Sequence, residues 1–117
     1  MPDRIIYTSV LSTAMEIRLY EETVEHVKNH HPEVPIELPS IESAVAQTIV
    51  NPTHVEVSYG NSYVFVDIDS TNASGDPLRV PVKMITSDSG RVKTAYFAST
   101  NGTPELAYVR NSRDRNE

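Results

Sequence analysis

The chain of 117 residues contains no cysteine and no tryptophan. The missing cysteines exclude disulfides and thiolate metal sites. A chain of this length can bury around two-thirds of its unfolded surface, so an apolar core alone can hold it. No segment approaches the ~20 consecutive apolar residues of a membrane span. The opening MPDRIIYTSV has no apolar stretch long enough for a secretory leader. The expectation is a cytoplasmic protein without membrane association. Basic residues are scarce, 10 against 16 acidic, for a net charge of −6. That balance, with no interleaved basic and aromatic patch, argues against loose nucleic-acid binding. The charge is uneven, however. Glu16, Glu21, Glu22, Glu25, Glu33, Glu37 and Glu42 crowd the first half, whereas Arg79, Lys83, Arg91, Lys93, Arg110, Arg113 and Arg115 lie near the end. A locally basic surface is compatible with an acidic total.

The pattern suits one α+β domain over residues 1–110, with NSRDRNE (111–117) as a frayed tail. Residues 4–10 are rich in β-branched and aromatic types. In 14–20, Met15, Ile17 and Leu19 alternate with Glu16, Arg18 and Tyr20, the period of a half-buried strand. A turn at 11–13 would pair the two as an N-terminal hairpin. A helix is predicted from about Glu21 to His30, with Glu21 and Glu22 at its positive end. Val24, Val27 and His31 share a face, and Pro32 disfavours helical geometry at His31. Pro35 and Pro39 bracket an extended connection. A second helix follows from Ser40, a good N-cap, to Val50, with Ile41, Ala44, Val45, Thr48 and Ile49 as its stripe. The remainder reads as a β-meander over 53–59, 62–69, 78–86, 91–99 and 105–110, with turns at Gly60-Asn61, 87–90 and Asn101-Gly102. Pro81 implies an edge position or a bulge. Two helices on a twisted antiparallel sheet of four to five strands are expected.

Three of the four histidines, His26, His30 and His31, fall on the first helix or its end. Imidazole exchanges protons near neutrality, so the group admits a proton-transfer site, a metal site or a plain polar surface. His26 and His30 are four apart, a spacing that suits a metal. Glu22 and Glu33 do not obviously converge on them, and neither a metal nor a cofactor is expected. His31 serves equally well as a cap on its helix end. His54 reads as exposed near a strand start.

The run His26-Val27-x-x-x-His31-Pro32-Glu33 lies on a helix, and a second helix ends in Asn51-Pro52. A strand with Val80-Pro81-Val82-Lys83 precedes one with Val92-Lys93-Thr94-Ala95-Tyr96-Phe97. In that order these motifs resemble the phage and polymorphic-toxin branch of the Barnase–EndoU–colicin–RelE nuclease superfamily, over roughly residues 14–110. The resemblance implies two helices on an antiparallel sheet and metal-independent RNA cleavage. It implies catalytic roles for His31, Lys83, Thr94 and Tyr96. His26, Arg79 and Arg110 are then substrate-binding, RNA is the substrate, and an immunity or antitoxin protein is a partner. Tyr20 departs from the pattern, standing where related helices often begin with a Thr or Ser cap.

Such cleavage needs a base for the 2′-hydroxyl proton, an acid for the leaving oxygen and a cation for the phosphate. His31, Lys83 and the hydroxyls of Thr94 and Tyr96 supply these types, with Lys83 and Thr94 expected to face each other across one hairpin. A second reading is a non-catalytic module that docks a protein through a strand edge or the acidic first helix. A third is an acidic antitoxin-like mimic. The oligomeric state is not legible.

Overall fold

A computed structural model describes residues 2–99 and 102–110. The proposed tail and part of the Asn101-Gly102 turn lie outside that range. The class is α+β. Strands β1 (Pro2–Thr8) and β2 (Met15–Tyr20) form the expected N-terminal hairpin, with Ile6 opposite Ile17. Met15, Ile17 and Leu19 are buried as their alternation requires.

Helix α1 (Glu21–His30) begins at once after β2 and buries Val24 and Val27. Its N-cap, Tyr20, makes no side-chain cap bond. The chain leaves helical geometry at His31, where φ is −135°, as a residue before proline should. A short helix α2 (Glu33–Glu37) replaces the extended connection expected there. Pro35 is tolerated because it falls in the first turn, where a backbone N–H has no intrahelical partner anyway. Helix α3 (Ile41–Val50) starts at Ser40, whose Oγ accepts from the Ser43 N–H at 3.2 Å. Its buried stripe is Ile41, Val45, Thr48 and Ile49, with Ala46 added and Ala44 only half-buried. Among the described residues no helix is long and apolar enough to cross a membrane.

Strands β3 (His54–Ser58), β4 (Ser62–Thr71), β5 (Pro77–Met84), β6 (Ser89–Val92), β7 (Tyr96–Phe97) and β8 (Leu106–Val109) complete the sheet. Gly60 and Asn61, both at positive φ, turn the chain between β3 and β4. Among the described residues the sheet has eight strands, more than expected, in the order β1-β2-β6-β5-β4-β3-β8, with β7 paired to β5 beside β6. It is mixed rather than antiparallel, because β2 and β6 run parallel. Instead of continuing the meander, β8 returns to the far side and pairs with β3. These long-range pairings have no local sequence signal.

Pro81 lies in an interior strand, contrary to the edge position its ring suggests. The neighbouring strand accommodates it. Residues 93–95 separate β6 from β7 opposite Pro81, and the Lys93 N–H bonds the Pro81 carbonyl at 2.9 Å. A residue's N–H and C=O point to the same side of a strand, so the missing donor faces this interruption.

One face of the sheet carries the core. Val55, Phe65 and Val80 stand in register across β3, β4 and β5 and are fully buried. Helix α3 packs against β1, β4 and β5, and α1 against β2. Gly90 lets β6 slot between β2 and β5. A Cβ there would stand 2.7 Å from the Lys83 carbonyl oxygen and 2.9 Å from Met84 Sδ. The carbonyl is held in the sheet and cannot yield. Gly90→Ala should therefore cost about 1–3 kcal/mol, seen as a lower urea midpoint at unchanged slope.

Candidate active site

The second face of the sheet carries the polar chemistry. Pairing places Tyr96 opposite Arg79, Arg79 opposite Val66, and Val66 opposite His54, so the four share one row across β7, β5, β4 and β3. Glu56 lies two residues beyond His54 on the same face. Beneath this group Val64 and Val66 form a buried apolar floor.

Arg79 spans that floor to reach Glu56. Its Nη1 donates to Oε2 at 3.1 Å and its Nη2 to Oε1 at 2.5 Å, a two-pronged contact. Both residues are more than nine-tenths buried. Burial is the largest influence on the guanidinium and pulls its pKa down. Hydrogen bonding and charge attraction from Glu56, with a further contribution from Tyr96, outweigh it and leave the pKa raised. His54 Nε2 stands 3.0 Å from Glu56 Oε2. Glu56 thus joins a guanidinium to an imidazole whose side chain keeps 20% of its surface exposed.

His31 approaches from the helix layer. Helix α2 lies against β7, and the His31 ring stacks at a tilt on Tyr96, with centroids 5.6 Å apart. Its Nδ1 is 3.9 Å from Glu33 Oε2, and the side chain is 30% exposed. The capping role falls to the backbone: the His31 N–H bonds the Val27 carbonyl at 2.8 Å, and its carbonyl accepts from Val34 at 3.0 Å. The ring therefore remains half-exposed to solvent beside Tyr96. His26 lies 4.5 Å from His30 and 6.0 Å from His31 between ring centroids. Among the described residues, no group of three histidine, aspartate or glutamate side chains is arranged to hold a metal ion.

No family model, curated protein or solved structure matches this chain.

The structure brings His31, Tyr96 and Arg79 together, with the exposed His26 ring 6.0 Å from that of His31. It does not bring Lys83 to them. Lys83 is four residues along β5 from Arg79, about 13 Å at strand rise, and its Nζ donates to the Gly60 carbonyl at 2.7 Å. The expected face-to-face pairing of Lys83 with Thr94 also does not occur. Lys83 stands opposite Ser62 and Arg91, because the turn after β5 pairs Met84 with Gly90. Thr94 falls in the break between β6 and β7. Its Oγ1 is buried without a hydrogen-bond partner among the described residues. Arg110 is engaged by Asp69 at 3.2 Å. A cleft of about 790 Å³ opens at the Lys83 end, near Met15, Tyr63, Met84 and Ile85. Among the described residues, no histidine or charged side chain lines it.

Glu56 carries no marker in the sequence, and His54 reads there only as an exposed residue near a strand start. Glu56 alternates with Val55 and Val57, the ordinary look of a solvent-facing position. The available signal lay in the next strand: Val64-Phe65-Val66 is apolar on both faces, which implies that neither face there is open to water. A charge beside such a floor needs a partner.

Proposed function

We propose that this chain is a metal-independent endoribonuclease, as the sequence resemblance implies, with its cation supplied by Arg79 instead of Lys83. One observation carries the reading. The in-register row His54–Val66–Arg79–Tyr96 sets an imidazole on a carboxylate, a fixed guanidinium and a phenol side by side, with the His31 ring 5.6 Å from Tyr96.

The roles follow from the chemistry. His54, oriented by Glu56, takes the proton of an RNA 2′-hydroxyl. The 2′ oxygen bonds to phosphorus and the bond from phosphorus to the 5′ oxygen breaks. His31 gives the departing oxygen its proton. Arg79 faces the charge that builds on the phosphate oxygens, and its planar fork suits that contact better than lysine would. Tyr96 positions the His31 ring and offers a hydroxyl to the phosphate. The products are a 2′,3′-cyclic phosphate and a 5′-hydroxyl. The acidic total charge predicts weak, salt-sensitive RNA binding rather than long-range steering.

The test is cleavage of total RNA by the pure protein in EDTA, from about pH 5 to about pH 8, with the new ends identified. His31→Ala should lower the rate about 100- to 10,000-fold while leaving the fold intact, since the ring is half-exposed. Arg79→Lys should also lower it, and Lys83→Met should leave it near the wild-type value. Failure of the wild type to cut RNA across that pH range overturns the proposal. It would favour the docking-module reading, for which the observation is Tyr7, 68% exposed on the edge strand β1.

A further inference from the structure

The helices carry Glu21, Glu22, Glu25, Glu33, Glu37 and Glu42, all exposed, against one lysine, Lys28, and no arginine. They pack on the core side of the sheet, so the acidic excess of the chain lies there. The opposite, uncovered face has the reverse balance. Pairing sets Arg18, Arg91 and Lys83 in one row across β2, β6 and β5. Lys93 follows Arg91 by two residues and lies beside Pro81, whose carbonyl accepts its N–H at 2.9 Å. Val92 between them is buried and both cations are exposed, so Arg91 and Lys93 project from the same open face. Two carboxylates on this face, Glu16 and Glu56, are each held by an arginine, Arg18 at 2.6 Å and Arg79 through two bonds. Lys83 donates to the Gly60 carbonyl. Among the described residues Arg91 and Lys93 form no ion pair.

Diagonal neighbours on adjacent strands stand about 7–8 Å apart, and residues two apart along one strand about 7 Å. Arg79, Lys93 and Arg91 therefore form a line with steps of that length, leading away from the candidate active site. We propose that this open face of β5 and β6 binds the backbone of single-stranded RNA, with Lys93 and Arg91 on phosphates beside the one that Arg79 faces. The starting point of the line rests on the ribonuclease reading, whereas the two unpaired cations do not. Contacts of this kind gain from the release of counterions and read no bases. The glutamates of the helix layer repel a polyanion, so it approaches from the sheet side. An acidic protein thereby holds nucleic acid on one face only.

The probe is a fluorescent 2′-O-methyl oligonucleotide, which lacks the hydroxyl that cleavage needs, so anisotropy reads binding whether or not the protein cuts RNA. Arg91→Ala and Lys93→Ala should each lower the slope of log affinity against log salt by about 0.7, the single-strand value for one phosphate contact. They should weaken binding alike for all base sequences. Lys28→Ala removes the same charge from the helix layer and should change neither quantity. All three positions are exposed, and circular dichroism should show an unchanged fold. In cleavage, Arg91→Ala/Lys93→Ala should raise KM and leave kcat near the wild-type value, because the lost contacts lie away from the reacting bond. No binding of the probe by the wild type at low salt, an unchanged slope in the double variant, or an equal loss from Lys28→Ala overturns the surface. Displacement by polyglutamate as effective as by unlabelled oligonucleotide also overturns it, and assigns the face to an acidic protein. A protein that binds the probe through Arg91 and Lys93 but cuts no RNA leaves the surface standing and removes the ribonuclease reading. Cleavage with a wild-type KM in the double variant does the reverse.

Discussion

Glu56→Ala is expected to destabilise the fold by about 3–5 kcal/mol, the usual cost of removing one partner from a buried ion pair. The carboxylate accepts two bonds from Arg79 and stands 3.0 Å from the His54 ring. Without it, the guanidinium over the floor of Val64 and Val66 loses the carboxylate that holds it by two bonds. Urea unfolding of four proteins separates the causes. Glu56→Gln keeps the shape and part of the hydrogen bonding, and should fall between wild type and Glu56→Ala. The pair Glu56→Met/Arg79→Met removes both charges and should recover most of the stability lost by Glu56→Ala, because an apolar pair needs no solvation. A double variant as unstable as the single one would mean that the ion pair itself, rather than the cost of a buried guanidinium without its carboxylate, holds this face together. The sign of the pH effect is also determined. The Arg79 pKa is raised on folding. Its stabilisation is therefore complete throughout the neutral range and is lost only as strong alkali deprotonates the folded form. A double variant that is stable yet inactive would assign the pair to catalysis.

Phe65→Ala should cost about 3–5 kcal/mol. The ring is fully buried at the centre of the sheet, between Val55 and Val80 in register and on the face that α3 covers. Its neighbours on β3 and β5 are fixed by ladder hydrogen bonds and those on α3 by helix packing, so the void cannot close easily. Phe65→Leu, which leaves most of the volume filled, should lose much less. The comparison is read from urea midpoints by circular dichroism, with RNA cleavage measured on the fraction still folded. Since Phe65 faces away from Arg79 and Tyr96, the folded fraction of Phe65→Leu should keep its rate per molecule. A large rate loss in a well-folded Phe65→Leu would mean that the two faces are mechanically linked.

The candidate site was legible in parts. His31 and Tyr96 could be singled out because each sits in a short motif at a place that local rules define: one before a proline that stops a helix, the other on a strand of alternating types. Arg79 is legible only as a substrate-binding cation, the role the resemblance implies, and not as the partner of a buried carboxylate. A hairpin turned at 87–90 sets Lys83 against Thr94, whereas the observed register sets Met84 against Gly90 and Lys83 against Arg91. A shift of this kind moves a side chain to a different partner without changing any local propensity. Glu56 and His54 are hidden for a different reason. Their significance comes from Arg79, which is 23 residues from Glu56 in sequence and reaches it across an intervening strand.

The sequence alone determined the α+β class, both long helices and their ends, the N-terminal hairpin and the buried faces of β2 and α3. Each depends on neighbours within a few positions: a period of two, a stripe at three and four, a serine cap, a proline stop. The parallel pairing of β2 with β6, the return of β8 to β3, the break opposite Pro81 and the Arg79–Glu56 pair were decided by tertiary structure. They are contacts between distant segments, selected by which surfaces remain to be covered and which donors remain to be satisfied after the local elements have formed.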